Sequence, residues 1–315
     1  MRQHSPGVIE RPEKELLELR QRVQELKRKL NAVVVAHNYQ RIEVQDVADF
    51  VGDSLELSRK ATEVDADVIV FCGVDFMAES AAILNPLKTV LLAESSACCP
   101  MAEMIDADDL KEWKGRYPDA AVVCYVNTSA AVKAGSDICC TSANAVKIVE
   151  SVKNKEILFV PDKNLGSYVS RYTSKKMILY PGYCIVHHRL NAKQVLQARE
   201  RFPGATVLVH PECRPEVIDQ ADAALSTSQM IQYAREKPGK IFLIGTEEGL
   251  LYRLRQENPG KTFVLISNAL ICPNMKRTTL ETVVRTMEER RNIITIPEEV
   301  RLKAKRALDG MLAIR

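Results

Sequence analysis

The sequence predicts an α/β protein of three similar three-layer α/β/α domains with parallel sheets, related by pseudo-threefold symmetry around a central active site. Three observations lead there. Short apolar runs of strand length alternate with helical patterns, as expected of parallel strands covered by helices on both faces. The same order of runs occurs three times. Polar residues at the ends of corresponding runs recur at nearly one period: His37, Tyr125 and His210 are separated by 88 and 85 residues, as are Tyr39, Asn127 and Glu212.

The elements follow in order. Residues 13 to 30 place Leu16, Leu19, Val23, Leu26 and Leu30 at steps of three and four behind Pro12, a proline suited to a first helical position. This predicts an amphipathic docking helix or short coiled coil with no chemistry of its own. The first repeat has strands over Ala32–Ala36, Val68–Phe71 and Val90–Leu92, with a helix from Ala78 to Leu84, and ends near Cys99. The second has strands over Ala121–Cys124, Ile157–Val160 and Met177–Tyr180, then Cys184. The third has strands over Thr206–Val209, Ile241–Ile244 and Phe263–Ile266, then Cys272. The predicted division is an N-terminal helical extension at 1–30, repeats at 31–118 and 119–203, and a third repeat with C-terminal helices at 204–315.

Composition narrows the partners. With 44 basic and 41 acidic residues and a single Trp, the chain has neither the field nor the stacking residues of a nucleic-acid binder, so no nucleic acid is expected and the partner should be a small molecule. It has no apolar run of about 18 residues, and its charged beginning lacks a signal-peptide core. No membrane association is expected, and the expected location is the cytoplasm. There the nine cysteines should be reduced, some of them ligands.

No C-x-x-C occurs, so a cysteine site must be assembled by folding. Cys99, Cys184 and Cys272 lie 85 and 88 residues apart, the repeat period again. Three thiolates satisfy three irons of a [4Fe-4S] cluster and leave the fourth open as a Lewis acid, which points to dehydration or carbonyl chemistry. Cys99 is preferred to its neighbour Cys98 because Pro100 follows it as Pro273 follows Cys272. Cys72, Cys124, Cys139 and Cys140 read as packing residues.

Ser54, Ser142 and Thr227 each stand before a helical run, again 88 and 85 apart. Helix N-termini present unpaired N–H groups to anions, so three converging ones suggest a pocket for a multiply anionic substrate. Glu212 or Tyr39 could move protons, His37 and His210 could polarise a carbonyl or bind carboxylate, and Asn127 could orient substrate. His187, three residues after Cys184, could lie beside the ligand or face substrate.

The local words then become specific. Ala36-His37-Asn38-Tyr39-Gln40, Val51-Gly52-Asp53-Ser54, Phe71-Cys72-Gly73-Val74-Asp75-Phe76-Met77-Ala78-Glu79, Tyr125-Val126-Asn127-Thr128-Ser129, Pro161-Asp162-Lys163-Asn164-Leu165-Gly166, His210-Pro211-Glu212-Cys213 and Cys272-Pro273-Asn274-Met275-Lys276 resemble the quinolinate synthase family, from about residue 31 to 290. The resemblance implies a [4Fe-4S] enzyme that condenses iminoaspartate with dihydroxyacetone phosphate to give quinolinate, phosphate and two waters in NAD biosynthesis. An aspartate oxidase or dehydrogenase would supply the imine. By the same resemblance His37, Tyr125, Val126, Asn127, His210, Pro211 and Glu212 would bind iminoaspartate or intermediates. Ser54, Ser142 and Thr227 would hold anions. Tyr39 and Glu212 would be the principal proton-transfer residues, with Tyr125 and His210 also in the catalytic set, and Cys99, Cys184 and Cys272 would hold the cluster.

Two other classes fit parts of the pattern. An iron-sulfur hydro-lyase acting on a hydroxy acid would turn over without a triose phosphate. A non-enzymatic iron-sulfur or metal sensor would use the cysteines but leave the anion pockets idle, and would tolerate Glu212→Gln.

Overall fold

In the computed structural model, which describes residues 12–314, the threefold repeat is exact in topology. Residues 1–11 of the predicted N-terminal extension, and Arg315, lie outside the described residues. The first sheet contains β1 (Ala32–His37), β2 (Phe50–Gly52), β3 (Val68–Cys72) and β4 (Thr89–Leu92) in the order β2-β1-β3-β4. The second has β5 (Ala121–Tyr125), β6 (Ile138–Cys140), β7 (Glu156–Val160) and β8 (Lys176–Leu179), ordered β6-β5-β7-β8. The third has β9 (Thr206–Val209), β10 (Ala223–Ala224), β11 (Ile241–Gly245) and β12 (Thr262–Leu265), ordered β10-β9-β11-β12. Every pairing is parallel. In such an order the chain reverses direction across the sheet between its first and third strands, and ligands collect beyond the carboxyl ends there.

Local chemistry fixes the repeat. Asp49, Asp137 and Asp222 each accept the N–H of a first-strand residue, Val34, Val122 and Val207, at 2.8, 2.7 and 2.7 Å. Each aspartate latches the first strand to the turn entering the second. The strands are buried on both faces because helices cover both, so they read as continuous apolar runs; β3 and β5 are buried at every position.

The helices start where side chains can satisfy the first free amides. The helix after each short second strand is α3 (Ser54–Glu63), α7 (Ala145–Ser151) or α11 (Thr227–Glu236). Asp53 with Glu56, and Ser226 with Gln229, form capping boxes on α3 and α11. Three further boxes, Asp106/Asp109, Asn191/Gln194 and Thr279/Thr282, start α5 (Ala107–Arg116), α9 (Ala192–Arg201) and α13 (Leu280–Glu289), the helices that follow the three cysteine segments.

The helices outside the repeats close its outer faces. Val23 and Leu26 of α1 (Glu13–Leu30) are buried with Val34, Val68 and Val70 of the first sheet and with Val283 and Met287 of α13. The predicted docking helix thus covers that sheet, sharing it with a helix from the far end of the chain. Burying each such side chain contributes about 1.5–3 kcal/mol. The last helix, α14 (Glu298–Ala313), packs on β6, on α6 (Ala130–Ala134) of the second unit and on α4 (Asp75–Leu84) of the first. It stitches together two units to which it is not adjacent in sequence.

The third unit meets the first at Gly249, just before α12 (Leu250–Glu257). A methyl group there would lie 2.7–2.8 Å from the main chain of Tyr39. Since backbone cannot swing aside, Gly249→Ala should lower stability by about 1–3 kcal/mol and displace the Tyr39 turn. A thermal melt and a turnover assay check this, and wild-type values in both would contradict the contact.

Candidate active site

The carboxyl ends of all three sheets converge on one cavity, whose empty space, open mouth included, is about 790 Å³. His37 ends β1, Tyr125 ends β5 and His210 follows β9, so three equivalent strand ends supply its inner wall. Cys99, Cys184 and Cys272 also line it.

The cysteines occupy one local structure made three times. Each precedes a short 3₁₀ turn, at Ala102–Met104, His187–Arg189 and Met275–Arg277. In each, the cysteine carbonyl accepts the N–H four residues on, from Glu103, His188 and Lys276 at 3.2, 2.9 and 3.2 Å. The amides of Ala102, His187 and Met275, three residues on, point at the sulfurs. Nothing in this chain is disulfide-bonded among the described residues.

This donor set suits a metal cluster. Burial pushes all three thiols up, so they become thiolates only where a cation repays the lost hydration. Cys99 feels the charge of Cys272, and Cys184 that of Cys99, which places the sulfurs around one space. They do not form a group with all sulfurs within 4.8 Å of one another, so they are spread too widely for a single ion. Cys98 also lines the cavity, with its sulfur beside Glu103 and Asp75 and 3.8 Å from Asn274 Nδ2, whereas only Cys99 has the amide of the following 3₁₀ turn pointed at its sulfur as Cys184 and Cys272 do. Cys72, Cys124, Cys139, Cys140 and Cys213 are buried within the cores.

Beside Cys184 runs a continuous hydrogen-bonded chain of five side chains. Tyr125 O–H donates to Glu212 Oε1 at 2.6 Å, and His187 Nδ1 lies 2.7 Å from Glu212 Oε2 and 3.2 Å from Cys184 Sγ. A neutral imidazole donating from Nδ1 accepts at Nε2, where Thr246 Oγ1 stands at 2.9 Å. Thr246 therefore donates to His187 and accepts from Tyr39 O–H at 2.6 Å. Cys184, His187 and Glu212 have their donor atoms within 4.8 Å of one another. Those atoms are hydrogen-bonded to one another, so His187 and Glu212 stand directly beside the Cys184 sulfur.

Electrostatics assign protonation states. Burial would raise the Glu212 carboxyl, but His210 and His187 beside it, with hydrogen bonds from His187 and Tyr125, hold it below the usual carboxylate range and ionised. Burial, then the Glu212 charge, pushes Tyr39 and Tyr125 well above the usual phenol range, so both keep their protons. Burial pushes His37 and His210 down to about 3 despite Glu212, which leaves them neutral. The amide two residues on donates to Nδ1 in both, from Tyr39 to His37 at 3.2 Å and from Glu212 to His210 at 3.3 Å. That leaves each ring proton on Nε2.

These depressed histidines make stability pH-dependent. Between pH 3 and 6.5 the unfolded chain binds protons that the folded chain refuses, so stability falls as the solution is acidified. From about pH 6.5 to 5 each histidine should cost roughly 2 kcal/mol. Anaerobic thermal melts at both pH values check this, with a shallower slope expected for His37→Gln.

The cavity lining also includes the anion-binding candidates Ser54, Ser142 and Thr227, and Asn127, expected to orient substrate. The expectation that all three stand before their helices is corrected here. Ser54 and Thr227 are first helical residues behind the caps Asp53 and Ser226, and Ser142 lies in a turn before α7. The hydroxyls of Ser54 and Ser142 are thereby spared for a ligand, while Thr227 Oγ1 accepts from Asn38 and keeps only its own proton to donate. Asn127 Oδ1 is buried without a hydrogen-bond partner. Cross-unit bonds assemble this wall: Asn38 Nδ2 donates to Thr227 Oγ1 at 2.8 Å, and Ser226 Oγ to Asp53 Oδ2 at 3.3 Å. Val126 and Pro211, two expected binding residues, are not on the cavity wall; both are buried, Val126 in the apolar core. Sequence reasoning missed Thr246, Glu247, Lys276 and the cap Asp53.

The comparisons with known proteins bear on this geometry directly. Residues 21–313 match the family model described as quinolinate synthetase A protein. The chain belongs to the quinolinate synthase family. A quinolinate synthase of Thermodesulfovibrio yellowstonii is 56% identical over 290 residues, covering 92% of this chain and 96% of that protein. The quinolinate synthase of Methanoregula boonei is 54% identical over 296 residues, covering 94% and 98%. One from Dehalococcoides mccartyi is 54% identical over 293 residues, covering 93% and 97%. The quinolinate synthase family assignment thus spans all three units and the cavity between them. Among the described residues no helix is long and apolar enough to cross a membrane.

Proposed function

We propose that this chain is a cytoplasmic quinolinate synthase of NAD biosynthesis, condensing iminoaspartate with dihydroxyacetone phosphate to quinolinate, phosphate and two waters. The observation that carries the reading is the convergence on one cavity of three cysteine loops, an ionised Glu212 chained to two protonated tyrosines, and three hydroxyl side chains. Cys99, Cys184 and Cys272 would hold a [4Fe-4S] cluster. When bound, its iron without a cysteine would supply Lewis acidity for loss of water.

The side chains divide the remaining work. Ser54, Ser142 and Thr227 offer hydroxyls to the triose phosphate, next to the N-termini of α3 and α11. His37 and His210, neutral and protonated on Nε2, donate to substrate carboxylates without adding charge, and Asn127 orients the chain between. Glu212 removes a proton from substrate carbon, and Tyr125 steadies that carboxylate. Tyr39 delivers a proton to a departing hydroxyl, and the proton that Glu212 takes from carbon offsets it, so the site keeps its proton count until solvent resets both groups. Water is kept out by closure of the third unit on the first through Asn38–Thr227 and Ser226–Asp53.

An aspartate oxidase or dehydrogenase would supply the unstable imine, and mixing it with this protein gives the test. Anaerobic mixtures with and without dihydroxyacetone phosphate should form quinolinate only when the triose phosphate is present. Turnover of a hydroxy acid alone would instead favour the hydro-lyase.

A further inference from the structure

The loop that bears each cysteine is tied to the end of the third strand of its sheet by the same backbone bond. Asp75 N donates to Ala97 O at 3.0 Å, Lys163 N to Gly182 O at 2.9 Å and Glu248 N to Leu270 O at 2.9 Å. Every acceptor lies two residues before its cysteine. Beside this bond each unit places an acid that the reaction above does not use: Asp75, Asp162 and Glu247.

Glu247 shows what these acids do. It is fully buried, its Oε1 accepts the N–H of Cys272 at 3.0 Å, and its Oε2 accepts that of Gly249 at 2.7 Å. Lys276 lies 3.0 Å from Oε1 and 3.1 Å from Oε2, and donates to Tyr39 O at 2.7 Å. One ion pair thus joins the Cys272 loop to the Tyr39 turn of the first unit. Asp162, also fully buried, uses Oδ1 for the amides of Asn164 and Leu165 at 2.7 and 3.1 Å. Its Oδ2 is buried without a hydrogen-bond partner, and the carboxyl faces the amide of Cys184. Asp75 accepts the Phe76 amide at 2.8 Å and faces the amide of Cys99. Two of these carboxyls are fully buried, which is costly, and all three, Asp75 one residue out of the repeat register, are aimed at the amide of their unit's cysteine, which gives them a shared purpose.

We propose that Asp75, Asp162 and Glu247 are positioning residues, each holding the main chain of one cysteine loop so that the three sulfurs keep the spacing a cluster needs. The inference rests on the cluster reading given above. Groups that orient metal ligands typically change metal affinity roughly 10- to 100-fold when removed.

The test uses the full chain purified anaerobically, as wild type, Asp75→Ser, Asp162→Ser, Glu247→Ala and the double variant Glu247→Ala/Lys276→Met. Iron release to a ferrous chelator and the cluster's midpoint potential are measured on each. Release is expected to quicken roughly 10- to 100-fold in every variant, with the potential moving positive in Glu247→Ala, where the carboxylate paired with Lys276 is lost, and far less in the double variant, which removes both charges of the pair. The double variant should stay fast although its orphaned ammonium is gone. Asp75 is partly exposed, so Asp75→Ser decides the matter if a more buried change prevents folding. Iron-loaded variants with unchanged release and potential would overturn this inference alone. A wild-type chain without iron would overturn the cluster reading and this inference with it.

Discussion

Alanine at Cys99, Cys184 or Cys272 is expected to abolish quinolinate formation, by at least about a thousandfold, equivalent to the several kcal/mol that a Lewis-acidic metal contributes. The three thiols are buried around one space and stand on separate units. Removing one leaves two sulfurs that cannot replace the third, since no spare cysteine faces the centre from the second or third unit. Cys98→Ala is the internal control: Cys98 also lines the cavity but lacks the turn amide that the three ligands share, so its loss should leave most activity. Iron content and product, measured together on the four variants, check both halves. Full activity in any of the three would exclude the proposed ligand set.

Glu212→Gln is expected to lower kcat roughly 10²- to 10⁴-fold while iron content stays at the wild-type level. The amide keeps the shape of the carboxylate, and its oxygen still accepts from Tyr125, now 2.6 Å away. It cannot take a proton, and its NH₂ cannot accept from His187 Nδ1. The chain from Tyr39 to Tyr125 is therefore cut at its basic centre. Because the binding hydroxyls of Ser54, Ser142 and Thr227 are untouched, KM should change far less than kcat. A metal sensor, which needs no base, would keep its metal response unchanged in this variant.

Much of this was legible because parallel sheets put their functional groups at one end. His37, Tyr125 and His210, and the three cysteines, recur at 88 and 85 residues or the reverse because each marks the same strand end or the same turn in a repeated topology. Asp49, Asp137 and Asp222 carry the same period, and their latching of first strands was there to be read in the sequence. Thr246 could not be found that way. Its repeat counterparts, by subtracting 85 and then 88, are Pro161 and Gly73, neither of which has a hydroxyl. Its role arises only when β11 of the third unit is set beside Tyr39 of the first. Lys276 was within a recognisable motif, but its ion pair with buried Glu247 and its bond to Tyr39 are again contacts between units. The helices α1, α13 and α14 illustrate the same limit. An apolar stripe says that a face must be buried, not which distant surface will bury it.

The most direct test of the central claim is iron and acid-labile sulfide quantitation on anaerobically purified protein. About four irons and four sulfides per chain, falling in each of the three cysteine variants and unchanged in Cys98→Ala, is the result expected of a single [4Fe-4S] cluster. Zinc in place of iron, or no metal at all, would contradict it.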